Sequence, residues 1–212
     1  MAPQVRWPDL YPAFLRVEGA PVLVVGAGSV GERKIAALVA AGARVTVVAP
    51  EAAAAVEALA GGGRVEWRRR GFAPADADGM ALVLAATPHR DVNEAVYRAA
   101  RERGIWVNVA DDPALCTFHV PSVVDRAPLR IAISTSGACP AYARDLRRRI
   151  EAILDPALGG YVDLLGEVRA GIGGPDRSDA IRALVDSGAE ERWVAGERDE
   201  ARAILERAAG RR

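Results

Sequence analysis

PVLVVGAGSVG, at residues 21 to 31, is a hydrophobic strand that runs directly into the spacing Gly-x-Gly-x-x-Gly. The three glycines have separate roles: Gly26 permits a tight turn, Gly28 lets the backbone approach a pyrophosphate, and Gly31 lets a helix pack closely on the strand. The phosphates then lie at the N-terminus of the following helix, where free N–H groups and the helix dipole favour negative charge. The stretch therefore predicts a dinucleotide site. A side chain at Gly28 or Gly31 is expected to abolish binding while the fold survives.

The residues that follow complete a βαβ unit and give the glycine motif its context. RVTVVA at residues 44–49 predicts a second buried parallel strand after an alanine-rich helix, within a unit of about thirty residues. Glu51 lies twenty residues beyond Gly31, where a carboxylate can accept a hydrogen bond from a ribose 2′-hydroxyl and so favour NAD over NADP. Because Pro50 stands between the strand and Glu51, a helix cap stays the alternative role for this acid. A glycine-rich turn without a ligand is the alternative for the whole motif.

The hydrophobic pattern continues the alternation of strands and helices up to residue 110. The further elements predicted are a helix over 52–60, strands over 64–70 and 80–86, a helix over 91–103 and a strand over 105–110. The order β-α-β-α-β-β-α-β is typical of the α/β class, with a Rossmann-type doubly wound parallel sheet. Ligands of such sheets lie outside the carboxyl ends of the strands. These ends carry Gly26, Thr87 and the run from Asn108 to Asp112, so we expect the site there.

The pattern changes after Asp112 and predicts a second, smaller α+β module. Strands are predicted over 117–120 and 129–134, with residues 123–126 between them, and a helix starts at Pro140. Three short amphipathic helices are predicted beyond that, over 161–172, 179–185 and 198–209, with a turn at 173–176 and a frayed end. The predicted domains are therefore 1–112 for the dinucleotide, 113–150 for the module and 151–212 for the helical region.

Ser134, Thr135, Ser136 and Gly137 precede the helix that starts at Pro140. Hydroxyl groups at a helix N-terminus can receive an anion, and arginines such as Arg144 follow on the same helix. The alternative is that the hydroxyls are helix caps and the arginines a solvated face. The residues alone leave both roles open.

Composition excludes several classes of function. The 212 residues carry 28 basic and 28 acidic side chains, so no overall field favours nucleic acid. No apolar run approaches the length of a membrane span, and the first residues lack a signal pattern, so a cytoplasmic protein is expected. Cys116 and Cys139 are too widely separated for a zinc knuckle or a redox pair, and no resident metal site is predicted. Lys34 is the only lysine.

Several motifs, taken in order, resemble those of the precorrin-2 dehydrogenase and sirohydrochlorin ferrochelatase family of sirohaem biosynthesis, from about Tyr11 to Leu154. The motifs are VGAGSVGERK at 25–34, AAT at 85–87, NVAD at 108–111, FHVPS at 118–122, ISTSG at 133–137 and PAYAR at 140–144. The resemblance implies NAD-dependent oxidation of precorrin-2 to sirohydrochlorin, followed in some members by insertion of ferrous iron. It also implies a homodimer through the module after the Rossmann domain. Fused members carry a methyltransferase domain, and since this sequence ends at Arg212, methylation is expected to be another protein's task.

The resemblance assigns roles to individual residues. It places the acid-base aspartate on Asp111 and cofactor contacts on Ser29, Val30, Pro50 and Glu51. The serine that some members phosphorylate is replaced here by Thr135, with Ser134 and Ser136 beside it. The full set of predicted cofactor-binding residues is Gly26, Gly28, Ser29, Val30, Gly31, Pro50, Glu51, Thr87, Asn108 and Val109. The predicted substrate-binding residues are His119, Ser134, Thr135, Ser136, Gly137 and Arg144, with Arg126 and Arg130 as further candidates for the substrate carboxylates.

The chemistry of Asp111 agrees with its position. Oxidation of a saturated ring carbon needs a hydride acceptor and a base, and a carboxylate at the end of a strand beside the nicotinamide suits the second role. The alternative is a turn-forming residue in Asp-Asp-Pro. For the protein as a whole, the alternative is a non-catalytic NAD-sensing regulatory domain, which also opens with a Rossmann motif.

Overall fold

The computed structural model describes residues 10–173 and 177–210. It divides into two compact units, with the boundary between Val120 and Pro121. Among the helices of these described ranges, none is long and apolar enough to cross a membrane. The predicted turn at 173–176 and the predicted frayed end lie partly outside the described residues.

The first unit is a parallel sheet with helices connecting its strands. Its strands are β1 (Pro21–Ala27), β2 (Arg44–Ala52), β3 (Val65–Arg68), β4 (Leu82–Ala85) and β5 (Trp106–Val109). Its helices are α1 (Ser29–Ala40), α2 (Ala54–Gly61) and α3 (Arg90–Glu102), with 3₁₀ turns at Pro74–Ala77 and Pro113–Leu115. The strand order is β3-β2-β1-β4-β5, and the four pairings are all parallel. The predicted α/β class and doubly wound sheet are confirmed.

The core lies on both faces of this sheet, because successive side chains of a strand point to opposite sides. Val22 and Val24 of β1 belong to one cluster with Ile35 of α1. Leu23 and Val25 belong to the cluster on the other face, which contains the buried apolar residues of α3. The continuous apolar run of β1 is thus the pattern of a strand covered on both faces.

Strand β2 is longer than the prediction of residues 44–49. It continues through Pro50 and Glu51 to Ala52, because Ala52 pairs with Ala27 after an irregularity in the register with β1. The N–H of Ala53 then donates to Ala27 O at 2.9 Å. Pro50 does not end the strand.

The prediction of a strand over 117–120, in the segment after β5, is wrong. The backbone of this segment is irregular, and it is held to β5: Thr117 N donates to Val107 O at 2.8 Å, and Val107 N donates to Thr117 Oγ1 at 2.8 Å. These bonds keep residues 113–120 within the first unit, whereas the sequence placed its end at Asp112.

In the part of the second unit that the structure describes, a β-hairpin is followed by five helices. The elements are β6 (Ser122–Arg126), β7 (Leu129–Ile133), α4 (Pro140–Ile153), α5 (Leu158–Ala170), α6 (Arg177–Val185), α7 (Ala189–Val194) and α8 (Arg198–Ala208). Residues 123–126, expected between strands, form strand β6, which pairs with β7 in antiparallel register. The predicted boundary at residue 150 falls inside α4. The predicted start of α4 at Pro140 is confirmed.

The C-terminal helices bury a separate apolar cluster within the second unit. Tyr161, Leu164, Leu184 and Leu205 are at most 4% exposed and belong to it. Trp193 of the unpredicted helix α7 packs on Tyr161 with ring centroids 6.3 Å apart. The second unit therefore has a core of its own.

Candidate active site

A cleft of about 480 Å³ opens at the carboxyl ends of β1, β4 and β5. Its lining residues are Gly28, Ser29, Val30, Ala86, Thr87, Pro88, Arg90, Asn93, Ala110, Asp111 and Asp112. The strand ends that the sequence singled out therefore meet in one place, as the rule for open α/β sheets requires. Five of the predicted site residues line the cleft together: Gly28, Ser29, Val30, Thr87 and Asp111.

The glycine motif forms a backbone cradle at one side of this cleft. Gly26 has φ +96°, and a Cβ there would lie 2.5 Å from Ala86 O. A Cβ on Gly31 would overlap the carbonyl oxygen of Gly26. Both positions therefore require glycine for the fold itself, which makes the expectation that the fold survives a side chain at Gly31 wrong.

Gly28 differs, because a Cβ there would meet no atom within 4 Å. It is the N-cap of α1 and makes no side-chain capping bond. The first N–H groups of a helix have no partner within the helix, so this end of α1 offers donors to a ligand. Open space and free donors fit the pyrophosphate of a dinucleotide.

Pro50 and Glu51 lie at the end of β2, and both are exposed. Neither is among the residues that line the cleft. The N-cap of α2 is Ala53, so Glu51 is not the cap of that helix. The capping alternative is thereby removed, and the carboxylate of Glu51 is accessible to a ligand at the end of β2.

Thr87 is fixed by a buried asparagine that sequence reasoning missed. Its hydroxyl donates to Asn93 Oδ1 at 2.8 Å, and Asn93 Nδ2 donates back to Thr87 O at 3.0 Å. Asn93 is only 8% exposed, although it stands in the first turn of α3. The available signal was a polar residue three positions before the buried Val96, on the apolar face of the helix.

Asp111 follows β5 and is exposed at the cleft. Its backbone has φ +59°, a left-handed conformation that aspartate and asparagine tolerate better than most residues. The turn-forming role and the acid-base role are therefore compatible, since the turn presents the carboxylate. Asp112 is half-buried, and its carboxylate lies 4.0 Å from the guanidinium of Arg90.

Asn108 and Val109 lie behind the cleft and not among its lining residues. Asn108 is 7% exposed; its Oδ1 accepts a hydrogen bond from Lys34 Nζ at 3.0 Å, and its Nδ2 donates to Phe118 O at 3.1 Å. Val109 belongs to a core cluster. Nearby, burial raises the pKa of the Cys116 thiol, which donates to Val109 O at 3.3 Å.

The predicted substrate-binding residues are divided between the two units. His119 is half-buried at the end of the first unit, and the others lie in the second. There Ser134 Oγ accepts from Ser136 N at 3.0 Å, and Thr135 Oγ1 accepts from Cys139 N at 3.2 Å. These are local bonds of the turn that precedes α4. The N-cap of that helix, Cys139, makes no side-chain capping bond, so the capping role and the anion-binding role both stay predictions.

The arginines of the second unit differ in their partners. Arg144 is exposed on α4. Arg126 Nη1 lies 3.5 Å from the Glu151 carboxylate, and Arg130 Nε lies 3.4 Å from Asp125. Of these three candidates for a substrate carboxylate, two therefore already face an acid of their own unit.

The parallel sheet, the glycine cradle and the cleft beyond the strand ends define a Rossmann-type dinucleotide-binding protein. The chain belongs to the family described as putative NAD(P)-binding, whose model matches residues 13–122. Residues 126–153 match the model described as sirohaem biosynthesis protein central. The resemblance drawn from the motifs is confirmed by these two matches, in the expected order.

Relatives in other organisms are similar over much of this chain. A protein named siroheme synthase 1 from Aeromonas salmonicida (strain A449) is 46% identical over 162 residues, covering 76% of this chain and 35% of the relative. The siroheme synthase of Thioalkalivibrio sulfidiphilus is 41% identical over 207 residues, covering 94% of this chain and 42% of the relative. The chain thus spans between a third and about two fifths of the length of these two curated relatives.

A solved structure named SirC, precorrin-2 dehydrogenase, has the same fold. It superposes with a TM-score of 0.77 at 24% identity, covering 94% of this chain and 98% of that chain.

Proposed function

We propose that this chain is an NAD-dependent dehydrogenase that oxidises precorrin-2 to sirohydrochlorin in sirohaem biosynthesis. The observation that carries the proposal is the presence of Asp111 in the same cleft as the N-terminus of α1. The names of the relatives and of the structural neighbour support it.

The reaction removes a hydride and a proton from a saturated ring of the substrate. Bound NAD⁺ supplies the hydride acceptor. Gly28, Ser29 and Val30 would hold its pyrophosphate, and Thr87, fixed by Asn93, would form the wall beside it. The carboxylate of Asp111 takes the proton as general base, so the hydride and the proton go to different acceptors.

We infer that the cofactor is NAD and not NADP. Glu51 is exposed at the end of β2, where a carboxylate can accept from the 2′-hydroxyl of the ribose and would repel a 2′-phosphate. Replacement of Glu51 by glutamine should weaken NAD⁺ binding and narrow its preference over NADP⁺.

Ferrous iron is proposed as a second substrate. Insertion of Fe²⁺ releases two pyrrole protons, which the carboxylate of Asp111 can accept one after the other, passing each to solvent, and the four ring nitrogens supply the metal ligands. The test is the rate of Fe²⁺ insertion into purified sirohydrochlorin. If that rate with wild-type protein equals the rate without protein, the proposed chelatase activity is contradicted.

We further propose a homodimer formed through the second unit. A two-stranded hairpin is marginal alone, and α4 beside it leaves Tyr142 52% and Ile153 81% exposed. A second copy of the chain would cover these side chains.

The expected location of the enzyme in the cytoplasm stays a prediction.

The direct test is turnover of precorrin-2 with NAD⁺, measured as the simultaneous appearance of NADH and sirohydrochlorin. Asp111→Asn keeps the size and the left-handed tolerance of the residue but removes the base, so kcat should fall by about 100-fold or more with NAD⁺ affinity unchanged. Asp112→Asn is the matched control and should keep most of the activity.

Two outcomes would contradict these assignments. Full activity of Asp111→Asn would remove its role as base. Binding of NAD⁺ by wild type without turnover would favour a non-catalytic sensor over the dehydrogenase.

A further inference from the structure

Lys34, the only lysine of the chain, joins helix α1 to the end of strand β5. Its side chain is half-buried, and Nζ donates to Asn108 Oδ1 at 3.0 Å across 74 residues of sequence. A lysine on the second turn of a surface helix ordinarily extends into solvent. This one points inward to a buried amide.

The side chain of Asn108, which Lys34 binds, also closes the loop formed by residues 109–116. Asn108 Nδ2 donates to Phe118 O at 3.1 Å, and Thr117 N donates to Val107 O at 2.8 Å. These bonds join the two ends of the segment 109–116. That segment carries Asp111, which lines the cleft.

A further bond lies inside this loop. Cys116 Sγ lies 3.3 Å from Asp112 O, directly after Asp111 in the chain, and equally far from Val109 O, so its single S–H is shared between these two carbonyls. The loop that presents Asp111 is therefore fixed by side chains behind it, and Asn108 is the member that reaches α1.

The charge of Lys34 also bears on this loop. Burial lowers the pKa of Lys34, while attraction to Cys116 and to the carboxylate of Asp111 opposes the decrease and Arg33 adds to it. The ammonium group therefore lies in the field of the proposed base. Of the residues that line the cleft, Arg90 is the one with a cationic side chain, and Lys34 is not among them.

We infer that Lys34 is a positioning residue for Asp111: it holds Asn108, which closes the loop that presents the carboxylate, and its ammonium places a positive charge behind that carboxylate. This inference rests on the proposed role of Asp111 as base. It assigns to Lys34 no contact with cofactor or substrate. Its loss should therefore affect the chemical step and not the binding of NAD⁺.

The first experiment compares Lys34→Met and Lys34→Arg with Arg33→Met. Arg33 is the neighbouring cation on α1, is exposed, and bonds its own helix through Ser29 O. Lys34→Met should lower kcat by about 10- to 100-fold, because small displacements of a catalytic group have effects of this size. The dissociation constant of NAD⁺ should stay within about twofold, Lys34→Arg should recover part of kcat, and Arg33→Met should resemble wild type.

The second experiment does not depend on activity. Because the chain has one lysine, protein labelled with ¹⁵N-lysine gives a single side-chain ammonium signal whose pH titration reports Lys34 directly. Asp111→Asn should lower the pKa of Lys34 further, since a carboxylate that favours the ammonium is lost, and Asp112→Asn should leave it unchanged.

The outcomes separate this inference from the proposed function. Wild-type kcat in Lys34→Met, or the same lysine titration in wild type and Asp111→Asn, would overturn the role of Lys34 while leaving the dehydrogenase intact. If wild type did not oxidise precorrin-2, the proposed function would fail, and the titration would still test the link between Lys34 and Asp111.

Discussion

Gly28 and Gly31 respond differently to a side chain, although both belong to one motif. At Gly31 a Cβ would overlap the backbone of Gly26, whereas at Gly28 it would enter open space. Gly31 is thus required by the packing of α1, whereas Gly28 is expected to be required by the ligand. The sequence motif predicts both positions without distinguishing these reasons.

Gly28→Asp is therefore the informative substitution for cofactor binding. A carboxylate beside the N-terminus of α1 would take the place of a phosphate and repel the pyrophosphate, so NAD⁺ affinity should fall by about 100-fold or more. The melting temperature should stay close to that of wild type. Isothermal titration calorimetry measures the affinity, and Gly28→Ala is the control for size without charge.

Unchanged NAD⁺ affinity in Gly28→Asp would contradict the position of the pyrophosphate. Loss of the folded state in Gly28→Asp would contradict the open space around Gly28.

The buried carboxylate of Asp76 binds two arginines at the end of β3, the edge strand of the sheet. Asp76, with a side chain 3% exposed, accepts from Arg70 Nη2 at 2.6 Å, from Arg68 Nη1 at 2.9 Å and from Ala73 N at 2.9 Å. The bonds from Arg70, with those from Ala73 and Arg68, lower the pKa of Asp76 from 3.8 to about 2. The cluster joins the end of β3 to the 3₁₀ turn at Pro74–Ala77.

Asp76→Asn should lower the free energy of unfolding by about 2 kcal/mol at neutral pH, the amount that corresponds to this shift in pKa. Because the pKa is lower in the folded state, the stabilisation is complete above pH 3.8 and is lost as the pH falls towards 2. The difference between wild type and Asp76→Asn should therefore decrease in acid. Urea denaturation at several pH values measures it.

Asp78→Asn is the control for Asp76→Asn, because Asp78 also meets an arginine, Arg103, but with its side chain 64% exposed. Such surface pairs contribute little, so its effect should stay below about 1 kcal/mol. Equal losses for both variants would show that burial of Asp76 is not the cause.

The elements that the sequence predicted well are those with strong periodicity. The βαβ unit that begins at Pro21 and the start of α4 at Pro140 follow from apolar runs, glycine and proline alone, although the second strand was predicted to end at Ala49 and continues to Ala52. Two predictions for short stretches were wrong: residues 117–120 were predicted as a strand and residues 123–126 as a connection. Four apolar or mixed residues fit a strand or a connection equally well. Pairing decides such cases, and pairing depends on partners distant in sequence.

The candidate site shows the same division. Gly28, Thr87 and Asp111 could be predicted, because each stands directly after a strand whose end is visible in the sequence. Asn93 and the bond from Lys34 to Asn108 could not, since they depend on how α1 and α3 pack on the sheet. The residues that hold a site are less visible in sequence than those that face it.

The molecule in solution is expected to be a pair of chains joined through the second unit. Ile153→Asp places a charge on the most exposed apolar side chain of α4, so it should weaken association and shift the mass measured by light scattering towards the monomer. Val185→Asp, 68% exposed on α6, is the control and should leave the mass unchanged. A wild-type protein that is monomeric at micromolar concentration would contradict the homodimer.

The division of the chain after Val120 has a consequence for how such proteins can be rearranged. Each unit is one uninterrupted length of sequence, and the residues that line the cleft all precede the division. The two core clusters of the sheet and the cluster of the C-terminal helices likewise lie on separate sides of it. Recombination of the gene at the codons that follow Val120 could therefore join the first unit to a different second unit without separating the residues that line the dinucleotide cleft.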